Sequence, residues 1–389
     1  MNKTAQTLAT SKVSRPPISP KIQLRLWLLA GGRCEFYGCN EPLWVDSLTL
    51  HETNYSNIAH IVSWTTDGPR GNDPMPLSER KNIENLMLAC TKHHKLIDSN
   101  EHVAEYPKEI LLRHKRLHEA RIATVTSYQP EHRTTVVRLK ANIGREAVEV
   151  SNAQMREAIA PRYPTDAIGI EIDLTDLPEQ DSDAYRQTMC EVITQRIARA
   201  YTPSIEGGAV EHLSVFALGP ISLLVHLGSC LSNKIPVDLY QRHRDTQAWR
   251  WKEEGEPVKY ETVQLRQGTD SRKIALILSL SGKIRESELP TEIDGEFSVY
   301  EIALEGANPN TAFLRTQQDF DAFKSVYREF LRDLRSTHGP LDELHVFPAV
   351  PAPIAVACGM ERLQKIDPSL LVYDCDKTRG GFRRQLKVY

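Results

Sequence analysis

The sequence predicts an α/β protein in two parts, a small zinc-stapled unit followed by a Rossmann-like domain, and three observations predict it. Cys34 and Cys39 form a C-x4-C pair, and Cys90 with His93 forms a C-x2-H pair. Together they are a Cys3His set of the chemistry that holds structural zinc. From residue 167 onward, apolar runs of strand length alternate with helical patterns, the signature of strand–helix–strand units. Within that region, Val215, Phe216, Pro220, Val225 and Gly228 recur at Val346, Phe347, Pro351, Val356 and Gly359, a constant spacing of 131 residues. After a two-residue shift Tyr240 matches Tyr373. Each copy reads strand, Pro-started small-residue helix, strand, so the domain is expected to consist of two halves about a pseudo-two-fold axis.

The chain has 389 residues, room for two or three domains of ordinary size. Hydrophobic content of 40% and charged content of 25% are those of soluble globular proteins. No apolar run reaches the ~18 residues of a membrane-spanning helix, and the first 20 residues lack the apolar core of a signal peptide. They read as a disordered polar arm. Cys190, Cys230, Cys358 and Cys375 have no pairing pattern and read as small buried hydrophobes in a reducing cytoplasm. The net charge of −3 divides unevenly. Residues 1–130 carry 16 Lys and Arg against 13 Asp and Glu, with seven histidines, whereas residues 131–389 carry 32 against 38. A mildly basic front suits phosphate contact, and an acidic remainder argues against DNA binding there.

In chain order, residues 21–33 read as a short amphipathic helix ending at Gly31 and Gly32. A loop rich in Pro, Gly and Asp runs from Asp67 to Glu79. Residues 107–122 read as a helix with Ile110, Leu111, Leu117 and Ile122 on its apolar side. Arg113, Lys115, Arg116 and Arg121 on it are placed to meet DNA phosphates or solvent. Residues 124–165 are polar with prolines and read as the domain boundary. Beyond it, strands are expected over 167–174, 212–217, 235–240, 273–281, 343–348 and 369–374, and helices over 183–201, 220–232, 319–336 and 351–364. The third helix carries an apolar stripe of Phe320, Phe323, Tyr327, Phe330 and Leu334.

The run NLMLACTKHHKLID over 85–98, with NIAHIVSW upstream, resembles the HNH, or ββα-metal, nuclease family. The resemblance covers roughly residues 30–100. It implies that His60 is the general base, that Asn85 braces the loop carrying it, and that His94 binds a catalytic divalent metal such as Mg2+. It also implies structural zinc on Cys34, Cys39, Cys90 and His93, the last standing where the motif usually has Cys. Many family members place a second metal ligand just before the base, but here that residue is Ala59. Asp98, one helical turn beyond His94, shares its face and is the alternative. The residue types suit hydrolysis of a phosphodiester, which needs a base working near neutral pH and a cation on the developing charge.

A second resemblance covers roughly 150–389. The runs FALGPISLLVHLGSCLSNKIPVDLYQRHRDTQAWRWKEEG and HVFPAVPAPIAVACGMERL resemble the SAVED domain, a relative of paired CARF domains that senses cyclic oligonucleotides in bacterial anti-phage signalling. Trp249 and Trp251 suit stacking on purines. Arg242, Arg244, Arg250 and Lys252 suit phosphates, and Tyr240 and Gln241 suit hydrogen bonds to the ligand.

HNH nuclease joined to SAVED sensor implies an effector of the CBASS anti-phage type. Such a protein is a cyclic-nucleotide-activated DNA endonuclease, with a cGAMP-type dinucleotide as the preferred ligand and double-stranded DNA as substrate. A double-strand cut needs two active sites, which favours ligand-induced homo-oligomers as the switch. The other readings are a modification-dependent restriction endonuclease and a non-catalytic, ligand-responsive DNA-binding regulator.

Overall fold

The structure is a computed structural model and describes residues 17–99, 101–142, 150–166, 168–176, 182–201, 209–231, 235–376 and 381–389. The expected polar arm lies outside the described residues as far as residue 16. The chain divides into two compact units at Tyr128 and Gln129.

The first unit opens with helix α1 (Pro20–Ala30). Ser19 caps it by accepting from the Ile22 N–H, Pro20 occupies its first turn, and Gly31 ends it at φ 60°. Because Gly31 and Gly32 both have positive φ, the helix stops short of the expected residue 33. Strand β1 (Ser56–His60) pairs antiparallel with β2 (Leu86–Cys90), with His60 opposite Leu86 and Ser56 opposite Cys90. Helix α2 (Thr91–Asp98) leaves β2 without a loop residue, because Cys90 is its N-cap. Helix α3 (Lys108–Thr126) closes the unit. Its buried residues are Leu111, Lys115 and His118. Ile110 and Leu117, expected on the apolar side, are 39% and 46% exposed. The face turned inward is polar because it has polar partners. Lys115 Nζ lies 2.5 Å from a Glu119 carboxylate oxygen and 3.7 Å from Glu35, and His118 Nε2 lies 2.9 Å from the Ala30 carbonyl oxygen. Lys115 therefore does not face DNA.

The second unit holds two sheets. The first combines β3 (Arg133–Lys140), β4 (Tyr163–Pro164), β5 (Ile170–Asp173), β6 (Leu213–Leu218) and β7 (Val237–Leu239), all parallel, with β3 and β6 central. Helices α4 (Asn152–Ile159), α5 (Asp183–Ala198) and α6 (Ile221–Cys230) accompany it. The second sheet has the order β13-β12-β11-β9-β10-β8, from β8 (Tyr260–Arg266), β9 (Ile274–Ser279), β10 (Ser298–Leu304), β11 (Glu343–Ala349), β12 (Ser369–Asp376) and β13 (Gly381–Val388). Its four inner strands are parallel and its edges, β8 and β13, antiparallel. Helices α7 (Gln317–His338) and α8 (Ala352–Met360) complete it.

All six expected strands and all four expected helices of this unit are present within a few residues. The α7 stripe from Phe320 to Leu334 is buried as expected. The stretch 124–165, read as a boundary, instead contains β3, a central strand. Its run TTVVRLK carries the apolar signal, and the flanking prolines and charges masked it. Cys375, read as buried, is exposed. Among the described residues no helix is long and apolar enough to cross a membrane.

The repeat is visible in side-chain contacts. Phe216 stacks on Tyr240 at 4.5 Å, and their counterparts Phe347 and Tyr373 stack at 4.3 Å. Helices α6 and α8 cross through the two repeated glycines. A Cβ on Gly228 would stand 1.9 Å from the Val356 carbonyl oxygen, and one on Gly359 1.9 Å from that of Val225. Each glycine thus receives the carbonyl of the other helix's repeated valine, the contact pattern of a local two-fold axis.

Candidate functional site

The chelate geometry of the first unit follows from its turns. Gly31 and Gly32 reverse the chain after α1, and Gly38 and Asn40, at φ 84° and 56°, shape the hairpin that carries Cys34 and Cys39. The Cys39 N–H bonds the Phe36 carbonyl and the Cys34 N–H that of Glu41. On the other side, Cys90 caps α2 and its Sγ lies 3.2 Å from His93 Nδ1, while Cys34 Sγ lies 3.8 Å from the same nitrogen. The His93 ring is held by stacking on Phe36 at 4.2 Å. The ligand atoms of Cys34, Cys39, Cys90 and His93 all lie within 4.8 Å of one another. A tetrahedral zinc site separates its ligand atoms by roughly 3.5–3.8 Å, so the donor set fits zinc in identity, number and spacing. Burial pushes the Cys34 and Cys90 thiols up and the His93 imidazole down. Neutral groups packed this closely gain most from a cation that takes the thiol protons' place. No second such group lies among the described residues.

Asn85 is 1% exposed, and its amide bridges two loops. Its Oδ1 accepts from the Val62 N–H at 2.8 Å, and its Nδ2 donates to the Val62 and Arg80 carbonyls at 2.9 Å each. His60, at the end of β1, sits two residues before Val62 and is half-buried. His94 Nε2 lies 3.5 Å from an Asp98 carboxylate oxygen one turn along α2. One ion with bonds of about 2.1 Å can span such a pair, so His94 and Asp98 fit as donors to a divalent cation. Asp98 is also engaged by Arg70 at 3.0 Å.

Two residues that the sequence reading passed over organise this loop. Arg70 donates to the carbonyls of Ile61 and Ile97 at 2.5 and 2.7 Å, and so ties the chain beside His60 to the end of α2. Arg80, 5% exposed, donates to the carbonyls of Ser63, Gly71, Asp73 and Met75. Both sit in or beside the loop read only as Pro- and Gly-rich. An arginine there looks like a surface charge until its carbonyl partners are known.

In the second unit the expected ligand residues separate into core and cavity. Trp249 is 1% exposed and packs edge-on against Phe216, in a cluster with Tyr240 and Met155. Trp251 donates from Nε1 to the Leu239 carbonyl at 3.0 Å and stacks on Phe320. Trp249, expected to stack on a purine, is thus part of the core, and Tyr240, expected to offer a hydrogen bond, is 7% exposed beside it. Arg250 pairs with Glu253 at 3.1 Å, and Arg242 is half-buried. Gln241, Arg244 and Lys252 line one cavity, together with His243, Asp245 and Arg315. Burial pushes the His243 imidazole down, with Lys252 adding to the effect and Asp245 opposing it. At Asp374, which follows Tyr373 as Gln241 follows Tyr240, burial pushes the carboxyl up against hydrogen bonds from Ser222.

Comparison with known proteins follows this geometry. The family model described as "SMODS-associated and fused to various effectors sensor domain" (SAVED) matches residues 193–388. No curated protein matches the chain. Among solved structures, it resembles the Acinetobacter baumannii Cap4 SAVED/CARF-domain containing receptor with the cyclic trinucleotide 3'3'3'-cAAA. Identity is 12%, covering 80% of this chain and 64% of that one, with a TM-score of 0.43. The Moraxella osloensis Cap4 receptor matches at 11% identity, covering 82% of this chain and 62% of that one, with a TM-score of 0.37. The chain thus spans less than two thirds of the length of these receptors.

Proposed function

The chain belongs to the SAVED family of sensor domains, and from that premise we propose that it is a DNA endonuclease switched on by a cyclic oligonucleotide, an effector of anti-phage defence. The observation that carries the nuclease reading is the Asn85 amide. It is buried, fully engaged, and grips Val62 on both its N–H and its carbonyl, so it fixes the backbone just beyond His60. That is the task of a brace for a general base, and a merely structural zinc knuckle has no need of it.

In this reading His60 takes the proton from the attacking water. Asn85, Arg70 and Arg80 hold the loop that aims it. His94 and Asp98 would hold a divalent cation, which supplies charge stabilisation at the phosphodiester when bound. Cys34, Cys39, Cys90 and His93 would hold zinc and keep the two chelating turns together. Arg113, Arg116 and Arg121, exposed on α3, are cations available to the DNA backbone. The sensor's ligand is a cyclic oligonucleotide, with a cGAMP-type dinucleotide preferred, and its binding drives protomers to assemble so that two active sites meet one duplex. Plasmid incubated with Mg2+ and activated protein tests the nuclease reading. Wild type should linearise and degrade it while His60→Ala leaves it supercoiled; equal cutting by both would remove His60 as the base.

A further inference from the structure

The elements that carry the proposed cleavage site are poor in negative charge. Strands β1 and β2 and helix α2 hold a single carboxylate between them, Asp98, and α2 also carries Lys92 and Lys95. That carboxylate is already matched. Its Oδ1 lies 3.0 Å from Arg70 Nη2, while its Oδ2 faces His94 Nε2 at 3.5 Å. The Arg70 side chain is 7% exposed, so solvent does little to screen its charge.

Arg70 is built into this place. Its Nε and Nη1 donate to the Ile61 and Ile97 carbonyls, and Nη1 also lies 3.4 Å from the Tyr106 carbonyl oxygen. Every nitrogen of the guanidinium is therefore engaged. The loop before it is tightly wound. The Ser63 N–H bonds the Pro69 carbonyl and the Gly71 N–H that of Gly68. A Cβ on Gly71 would stand 2.1 Å from the Thr65 carbonyl oxygen. Arg70 itself sits at φ 57°, in the left-handed region that a non-glycine residue enters only at a cost. The loop bears that cost at the one residue whose head reaches Asp98.

We propose that Arg70 is a positioning residue for the catalytic cation. It fixes the Asp98 carboxylate but cancels its charge, so that a divalent cation binds weakly to the protein alone and is captured together with the DNA phosphate. The inference rests on the nuclease reading above and adds how metal and DNA depend on each other. A neutral imidazole, one carboxylate and one guanidinium sum to zero charge, and a dication gains little Coulomb energy from such a set. The Arg70 bond to Oδ1 leaves Oδ2, the oxygen facing His94, to the cation. The phosphodiester brings the missing negative charge, in keeping with the habit of Mg2+ of completing its shell on substrate phosphates. By linkage, DNA tightens the cation by the same factor as the cation tightens DNA.

The test uses the full chain with its zinc and Mn2+ as probe, read by electron paramagnetic resonance. Wild type should bind Mn2+ weakly at this site. Arg70→Met, which keeps the stem and removes the charge, should bind it about tenfold tighter or more. A purely structural role predicts the opposite, since a loosened loop can only weaken binding. Arg272→Gln, which removes an exposed cation of the second unit, should change nothing. A second measurement needs no variant and so stands even if Arg70→Met fails to fold. A phosphorothioate duplex, which resists cutting, should tighten Mn2+ on wild type by about tenfold or more, and Mn2+ should tighten the duplex by the same factor. If wild type alone binds Mn2+ as tightly as Arg70→Met does, or as tightly as it does with the duplex, the nuclease reading stands and the role of Arg70 falls. If no form binds Mn2+ with or without duplex, the metal-dependent nuclease reading itself falls.

Discussion

Replacing Gly228 with alanine probes the pseudo-two-fold at its tightest point. The new Cβ would lie 1.9 Å from the Val356 carbonyl oxygen, against an ordinary contact of about 3.4 Å, so α6 and α8 must part by roughly 1.5 Å at the crossing. The obstacle is backbone within a helix and cannot rotate away. Overpacking of this kind costs about 1–3 kcal/mol or more. Alanine returns about 1 kcal/mol through its higher helix propensity and lower unfolded-state entropy. A net loss of about 1–2 kcal/mol is expected, which for a domain of this size lowers the melting midpoint by about 2–8 °C. Gly359→Ala should cost about the same, since it meets the equivalent Val225 carbonyl at the same distance. Once one methyl has separated the helices the second meets less resistance, so the double variant should lose less than the sum. Urea unfolding of the four proteins measures this. A Gly228→Ala protein as stable as wild type would refute the close crossing.

The remaining predictions concern the first unit and the sensor core. Cys90→Ala should release one equivalent of zinc by elemental analysis and unfold the first unit, because metal affinity there is folding energy. Asn85→Ala strands the Val62 N–H and should cost about 1–3 kcal/mol of stability while lowering cleavage through a misplaced base. Glu35 is buried beside Cys34, and burial lifts its carboxyl from 4.5 to about 8, with Lys115 opposing. A raised folded value means its contribution is complete below pH 4.5 and lost as pH rises through about 8. At saturating zinc, Glu35→Gln should therefore flatten the decline in stability across that window, and an unchanged slope in urea titrations would assign it elsewhere. Trp249→Ala should destabilise the second unit by about 3–5 kcal/mol as a core deletion, and unaltered stability would return the indole to the ligand.

Much of this was readable in the sequence. Spacing alone found the Cys3His set, because four chelating side chains at two short intervals have few other uses. Apolar runs found six strands of the second unit, most readily β6 and β9, which are buried along their length, but not β8, β10 or β13. The repeat was legible because Gly228 and Gly359 are required by the crossing and could not drift. Three kinds of information were absent. Whether a polar residue faces inward depends on its partner, which hid Lys115 against Glu35 and Glu119 and hid Arg80 among four carbonyls. Whether an aromatic is floor or lining depends on how a loop closes, which placed Trp249 in the core although its neighbours are cations. Strand β3 was missed because prolines and charges around 124–165 outweighed one short run of β-branched residues.

The central claim is that a cyclic oligonucleotide governs DNA cleavage by this chain. Plasmid, Mg2+ and protein, incubated with and without each member of a cyclic di- and trinucleotide panel, tests it directly, with light scattering on the same samples. The account predicts intact plasmid without ligand. With one member of the panel it predicts degradation that His60→Ala abolishes, accompanied by a larger species in solution. Cleavage that is equal with and without every ligand, or none under any of them, would contradict it.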